Sequence, residues 1–187
     1  MQGAVPKRRR EFAMGRAAAR AALADLDDRP PPSIPVGERR APVWPEGVVG
    51  SITHSDGFCA AAVARASEFA AVGIDAEAVR ELPAAVRDLV VTADELRAPL
   101  SGPPWDVVAF SAKEAVFKAW FPLTTTWLDF HDVTLAIDAR ARTFAASVAP
   151  EVRHDDAPAR FSGRFAVTSG LVLTSVCVRR RARVRAG

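Results

Sequence analysis

The length, composition and charge are those of an ordinary globular chain. It has 187 residues, 49% hydrophobic and 25% charged, which at about 150 residues per domain predicts one domain or two small packed halves. A net charge of +3 is too small to indicate DNA binding by itself and suits an anionic small molecule or an acidic protein. No apolar run approaches the roughly 18 residues of a membrane span, and no signal peptide is evident. Two distant cysteines, Cys59 and Cys177, match no zinc or redox spacing, which predicts a cytoplasmic protein.

Periodicity and turn residues predict both helices and strands. In chain order we first expect an Ala-rich helix over residues 8–27, a proline-rich extended connection over 30–47, and strands over 48–53, 58–64 and 70–75. A helix over 84–91 and a longer helix from an N-cap at Asp106 to Trp120 should follow. Four strands are expected between 131 and 178. Pro122 is expected to end the long helix. This order predicts an α+β fold made of two packed halves, residues 1–80 and 81–187.

The predicted long helix carries a carboxylate on its apolar side. Glu114 shares a helical stripe with Phe110, Phe117 and Phe121, and a half-buried carboxylate is costly unless a cation or hydrogen-bond donor meets it. Lys118 follows one turn later, in the favourable Glu-before-Lys order. A single pair of this kind is more often a surface salt bridge, so the pattern alone leaves both interpretations open.

Two further carboxylates alternate along the third predicted strand. Asp75 and Glu77 should point to the same face, because strand side chains alternate. Paired carboxylates with no His or Cys nearby favour Mg²⁺, which prefers oxygen ligands and shares its shell with substrate phosphates. A solvated strand end is the alternative, and in isolation it is the more common one.

Groups suited to anions precede this strand. His54 ends a predicted strand beside the hydroxyl of Thr53, at a turn that can present backbone N–H groups to an anion; a hydrogen-bonded turn histidine is the alternative. The first helix and the connection after it are basic, with Arg8, Arg9, Arg10, Arg16, Arg20, Arg39 and Arg40. A solvated surface remains the default interpretation of each arginine taken singly.

Taken in order, these motifs resemble a known family, the 4′-phosphopantetheinyl transferases of the Sfp type, in particular the enterobactin-synthase-activating branch. The matching segments are RRREFxxGR at 8–16, WPxGxxGSxTH at 44–54, GIDxE at 73–77, FSxKEAxxKxW at 110–120 and PLxxxWLxF at 122–130. Together they cover most of residues 7 to 133, and their combination is far more specific than any single one.

The resemblance implies a fold, a reaction and partners. It implies two similar α/β halves related by a pseudo-twofold axis, with coenzyme A in the cleft between them, in a monomer. The reaction would move the 4′-phosphopantetheine arm of coenzyme A to a serine of an apo acyl or peptidyl carrier protein and release 3′,5′-ADP. Mg²⁺ would be required, and neither nucleic acid nor membrane would be a partner.

The resemblance also assigns roles to individual residues. Asp75, Glu77 and Glu114 would bind Mg²⁺, with Glu114 also acting as the base and Lys118 facing the pyrophosphate. The remaining contacts to coenzyme A would come from Arg8, Arg16, Arg39 or Arg40, Thr53, His54 and Lys113. These roles agree with the needs of phosphoryl transfer, which depends on alignment and on cancellation of negative charge.

Two other functions compete with this one. A truncated relative could bind coenzyme A or a carrier protein without transfer; the few residues ahead of the arginine-rich helix favour this alternative, and the intact set of acids with Lys118 opposes it. A small basic nucleic-acid-binding protein would leave the half-buried Glu114 unexplained.

Overall fold

The computed structural model describes residues 6–27, 32–55, 57–92, 95 and 102–180. Its helices are α1 (Pro6–Leu26), α2 (Ala84–Val90) and α3 (Trp105–Thr124), and its strands are β1 (Val48–Ser55), β2 (Phe58–Arg65), β3 (Phe69–Ala78), β4 (Val133–Asp138), β5 (Thr143–Val148), β6 (Arg160–Val167) and β7 (Leu171–Arg179). Short 3-10 helices occupy Glu38–Arg40, Phe130–Asp132 and Pro150–Val152. The predicted α+β class is confirmed.

The strands form two antiparallel sheets. β1 and β2 make a hairpin, and the other five strands pair in the order β3-β7-β6-β5-β4. β3 pairs with β7 along its length, with Asp75 opposite Thr174. The larger sheet therefore takes its edge strand from the chain segment before the predicted boundary at residues 80 and 81. The division into two halves at that boundary stays a prediction.

Helix α3 lies against one face of the five-stranded sheet and forms the centre of the core. Trp120 and Val116 are fully buried on it, and each large apolar side chain removed from water contributes about 1.5–3 kcal/mol. The indole N–H of Trp120 donates to the carbonyl of Thr126 at 3.1 Å, so its polar edge is satisfied. Four charged side chains interrupt α3, and no described helix is long and apolar enough to cross a membrane.

The N-terminal elements form a second, smaller cluster on the hairpin. Helix α1 buries Ala19 and Leu23, and Ile34 of the proline-rich connection packs with them. The guanidinium of Arg16 donates from Nε to the carbonyl of Ile34 at 3.0 Å, which holds that connection against α1. The predicted helix over residues 8–27 is confirmed, as are the three strands that follow the connection.

Both ends of α3 differ from the prediction. Asp106 is not the N-cap: it lies inside the first turn, and its Oδ2 accepts from the backbone N–H of Leu82 at 3.0 Å. Pro122 does not end the helix, which continues to Thr124, where Thr125 adopts a left-handed φ of 53°. Pro122 removes the N–H that would bond the carbonyl of Lys118, and its ring crowds that carbonyl, but only two helical residues follow it, so the helix ends soon after.

Close contact between β3 and α3 depends on Gly73. A Cβ built at Gly73 would overlap the carbonyl oxygen of Ala115 and lie 2.9 Å from the backbone N of Ala119. Those neighbours are helix backbone and cannot move aside cheaply. The absence of a side chain at residue 73 thus sets how near the strand approaches the helix.

Replacing this glycine should separate the two elements. Gly73→Ala is expected to lower the free energy of unfolding by about 2–3 kcal/mol, because overpacking forces the backbone apart. Urea titration followed by fluorescence measures the change. Gly170→Ala is the matched control, since no atom lies within 4 Å of a Cβ there, and a loss of equal size in both variants would contradict this account.

Candidate active site

A buried ion pair joins β3 to α3. Nζ of Lys118 lies 2.7 Å from Oδ1 of Asp75 and donates to the carbonyl of Ile74 at 3.2 Å. The Asp75 side chain is 5% exposed, whereas that of Lys118 is 27% exposed. The lysine therefore neutralises a buried carboxylate while part of its own side chain still meets solvent.

Hydroxyl groups of β1 complete the edge of β3. Oγ1 of Thr53 accepts from the N–H of Ala76 at 3.0 Å and donates to Oδ1 of Asp75 at 3.2 Å. Oγ of Ser51 accepts from the N–H of Ile74 at 3.1 Å. These side-chain bonds take the place of backbone hydrogen bonds between β1 and β3. They hold the hairpin against β3 next to Asp75. The resemblance assigns Thr53 to a phosphate of coenzyme A; in the structure its side chain is buried and bonds Asp75.

The second oxygen of Asp75 has no partner. Among the buried side-chain N and O atoms of the described residues, Asp75 Oδ2 is the one that makes no hydrogen bond. Such an atom is costly, since a buried polar group normally has at least one partner. The site therefore contains an unsatisfied oxygen ligand beside a lysine.

Burial and mutual repulsion alter the two remaining carboxyl groups. The pKa of Glu77 is raised to about 7, first by burial and then by the charges of Asp75 and Glu114, with Lys118 opposing. Burial also raises the pKa of Glu114, and the charge of Asp75 adds to this, again against Lys118. The charges of Lys118 and, at Glu77, of Arg80 thus offset the three carboxyl groups only in part.

The predicted Mg²⁺ ligands are coupled electrostatically, but they are not arranged as a finished metal site. Within residues 6–180, leaving out those the structure does not describe, no group of three or more His, Cys, Asp or Glu side chains could hold a metal ion as it stands. The chemistry of the donors does suit a hard cation, because all are carboxylates and one buried oxygen is unpaired.

Lys113 requires a correction. Its side chain is 1% exposed, and its ammonium donates to the carbonyls of Val90 and Phe130, at 2.7 and 2.9 Å. A salt bridge to Glu95, with Nζ and Oε1 3.0 Å apart, completes its environment. Lys113 therefore lies outside the site and has no donor to offer coenzyme A. Its neighbour in sequence, Glu114, faces β3 instead.

The arginines of the connection have an unusual backbone. Arg39 and Arg40 both have positive φ values, 47° and 69°, and both are exposed. The guanidinium of Arg39 lies over the ring of Trp127, 5.3 Å from its centre, and this ring in turn contacts Phe117 of α3 at 4.9 Å. A cation–π contact therefore links the connection to the aromatic side of α3.

The other basic groups lie at the surface. Arg8 is exposed on α1 and His54 is exposed on β1, whereas Arg16 is half-buried and already bonds the connection. None of these side chains is joined to the Asp75–Lys118 pair by a described hydrogen bond or ion pair. Their predicted contacts with coenzyme A stay predictions.

Two features of the site escaped the sequence analysis. One is the bond from Thr53 to Asp75, although the alternation of Ser51 and Thr53 along β1 was a signal that two hydroxyls share a face. The other is a cavity of about 550 Å³ between the hairpin and the five-stranded sheet, lined in part by Thr53, Phe58, Ile74, Asp75, Arg142 and Arg164.

The fold and the site together define a class of protein. An α+β chain that places a lysine beside one buried and two half-buried carboxyl groups, where a hairpin meets a larger sheet, has a charge arrangement suited to phosphoryl transfer. Residues 1–64 match the family model of the 4′-phosphopantetheinyl transferase N-terminal domain, and residues 71–168 match that of the 4′-phosphopantetheinyl transferase superfamily. The chain belongs to this superfamily, and the predicted enzyme class is confirmed.

Individual relatives agree with this assignment. The chain is 48% identical to the 4′-phosphopantetheinyl transferase Svp of Streptomyces mobaraensis, over 94% of this chain and 74% of the relative. It is 42% identical to Npt of Nocardia iowensis, over 92% and 83%, and 38% identical to PptT of Mycobacterium tuberculosis, over 92% and 80%. Enterobactin synthase component D of Escherichia coli K12 matches only 64% of the chain, at 38% identity, so that branch is more distant.

The raised pKa of Glu77 predicts a pH dependence of stability. A carboxyl group whose pKa rises from 4.5 to about 7 on folding binds more protons in the folded state, so its contribution to stability is lost as pH increases between those values. The free energy of unfolding of Glu77→Gln should therefore increase relative to that of the wild type as the pH rises from 5 to 8. Urea titration in EDTA measures it. Glu81→Gln, at an exposed position, is the control. A difference that stays constant with pH would contradict the prediction.

Proposed function

We propose that this chain transfers the 4′-phosphopantetheine arm of coenzyme A to a serine of an apo acyl or peptidyl carrier protein, with Mg²⁺, and releases 3′,5′-ADP. The observation that carries the proposal is the ion pair at 2.7 Å between the half-buried Lys118 and the buried Asp75, beside two carboxyl groups with raised pKa values. Family membership supplies the reaction class, and this constellation supplies groups suited to it.

In the proposed reaction the serine oxygen attacks the phosphorus that carries the pantetheine arm. A bond from serine oxygen to phosphorus forms, the bond from that phosphorus to the bridging oxygen breaks, and 3′,5′-ADP leaves. Glu114 is proposed to take the serine proton, since a carboxyl group with a raised pKa is a better match for this task near neutrality. Lys118, still partly exposed, would face the pyrophosphate and stabilise the charge on the leaving group.

Mg²⁺ is proposed to be held by Asp75, Glu77 and Glu114. The unpaired oxygen of Asp75 and the raised pKa values of Glu77 and Glu114, to which the charge of Asp75 contributes, both support a cation at this place. When bound, Mg²⁺ would cancel negative charge on the phosphates of coenzyme A.

The exposed basic groups are proposed to hold the far end of coenzyme A. Arg8, Arg39 or Arg40, and His54 are available for the 3′-phosphate and the adenosine end, and guanidinium groups make paired hydrogen bonds to phosphate. Arg16 is proposed to join them with the donors that its bonds to the connection leave free. The small net charge of +3 gives no reason to propose nucleic acid as a partner.

Substitution of the acids tests the proposal. Asp75→Asn and Glu114→Gln should each lower the transfer rate by about 100-fold or more, because each removes charge placed for the transition state. The measurement is the mass of an apo carrier protein incubated with the enzyme, coenzyme A and MgCl₂. Glu151→Gln changes an exposed acid and should keep the wild-type rate.

Two outcomes would contradict the assignment. A wild-type rate in either acid variant would remove that residue from the reaction. A wild-type protein that binds coenzyme A in a thermal-shift assay, yet never changes the mass of the carrier protein, would favour the non-catalytic alternative. Urea unfolding of each variant separates loss of chemistry from loss of fold.

A further inference from the structure

A second buried ion pair, remote from the solvent, takes no part in the proposed chemistry. The side chains of Lys113 and Glu95 are 1% and 2% exposed. Nζ of Lys113 lies 3.0 Å from Oε1 and 3.1 Å from Oε2 of Glu95. The lysine belongs to α3, whereas Glu95 lies in the segment between α2 and α3.

Backbone groups of three neighbouring segments complete this pair. Lys113 donates to the carbonyl of Val90, at the end of α2, and to that of Phe130, just before β4. Glu95 accepts from the N–H of Thr92 at 2.8 Å and from the N–H of Leu135, in β4, at 2.9 Å. Hydrogen bonds from the Lys113–Glu95 pair thereby connect α3 to the end of α2, to residue 130 and to β4.

The pair is held in its charged form by these contacts. Burial acts to raise the pKa of Glu95, but the N–H groups and Lys113 outweigh it and the pKa is lowered. Burial lowers the pKa of Lys113, and Glu95 opposes this. Desolvation makes such a pair a weak source of stability, since apolar replacements are often as stable. A role in fixing geometry accounts for it better.

The neighbour of Lys113 in sequence is Glu114. Successive side chains on a helix point about 100° apart, so the direction of Lys113 determines the direction of Glu114. Lys118 follows Glu114 by one helical turn and reaches Asp75 of β3. A lysine held by four fixed acceptor atoms allows α3 little rotation or sliding.

We infer that Glu95 and Lys113 are positioning residues, a buried clamp that sets the rotation of α3 and so aims Glu114 and Lys118 at β3. The inference rests on the proposed function for its catalytic consequence. The clamp shares no described hydrogen bond or ion pair with Asp75, Glu114 or Lys118. Its loss should therefore reduce turnover and leave binding at the distant arginines intact.

The double variant Glu95→Gln/Lys113→Met tests the clamp without leaving one charge buried alone. We expect kcat for carrier modification to fall about tenfold or more, as small misplacements of reacting groups are costly. The Kd for coenzyme A should stay within about twofold of the wild type, which separates turnover from binding. Both are measured well below the unfolding temperature.

Val148→Ala is the matched control, because Val148 is 1% exposed on β5 and belongs to the same core. It should lower the unfolding temperature through the cavity it leaves while keeping kcat. A wild-type kcat in the double variant, or an equal loss of kcat in Val148→Ala at equal loss of stability, would overturn the inference.

Amide hydrogen exchange tests the inference if the double variant does not fold, or if the wild type does not modify the carrier protein. Glu95→Asp keeps both charges but shortens the carboxylate arm, and it should speed exchange in the α3 peptide relative to Val148→Ala; unchanged exchange would overturn the clamp. A wild type without transfer activity would defeat the proposed function separately, since exchange does not depend on turnover.

Discussion

The contact between α3 and β3 is the constraint on which the site depends. Gly73 lets the strand lie against the helix backbone at Ala115, and from that distance Lys118 reaches Asp75. A strand displaced by the width of one methyl group would separate the ammonium from the carboxylate and leave both partly desolvated without a partner. The packing of α3 on β3 and the pairing of Lys118 with Asp75 therefore depend on one feature, the lack of a side chain at residue 73.

The hairpin β1–β2 is part of the site because of two hydroxyl groups. Ser51 and Thr53 bond the free edge of β3, and Thr53 also bonds the carboxylate of Asp75. An edge strand otherwise exposes unpaired N–H and C=O groups, so the same bonds that protect β3 orient its acid. The superfamily match begins at residue 71, inside β3, in agreement with the pairing of β3 to the C-terminal sheet.

Local patterns predicted the elements well, because burial imposes a period on each helix and strand. Strand parity placed Asp75 and Glu77 on one face, and helical spacing put Glu114 near Lys118. What the patterns lacked were contacts between residues far apart in sequence. Nothing near Asp106 shows that it bonds Leu82, and the position of Lys113 beside Glu114 gives no sign that its partners are Glu95 and two carbonyls. Such contacts depend on packing, which periodicity does not encode.

The charge balance of the site explains why it should respond to a cation. Lys118 and, at Glu77, Arg80 only partly offset the three carboxyl groups, and the pKa of Glu77 of about 7 means that Glu77 is partly protonated at neutral pH. A cation that binds these oxygens must displace the proton, so its affinity increases with pH through linkage. Burial of the unpaired oxygen of Asp75 also costs free energy, and a cation bound to that oxygen would offset this cost.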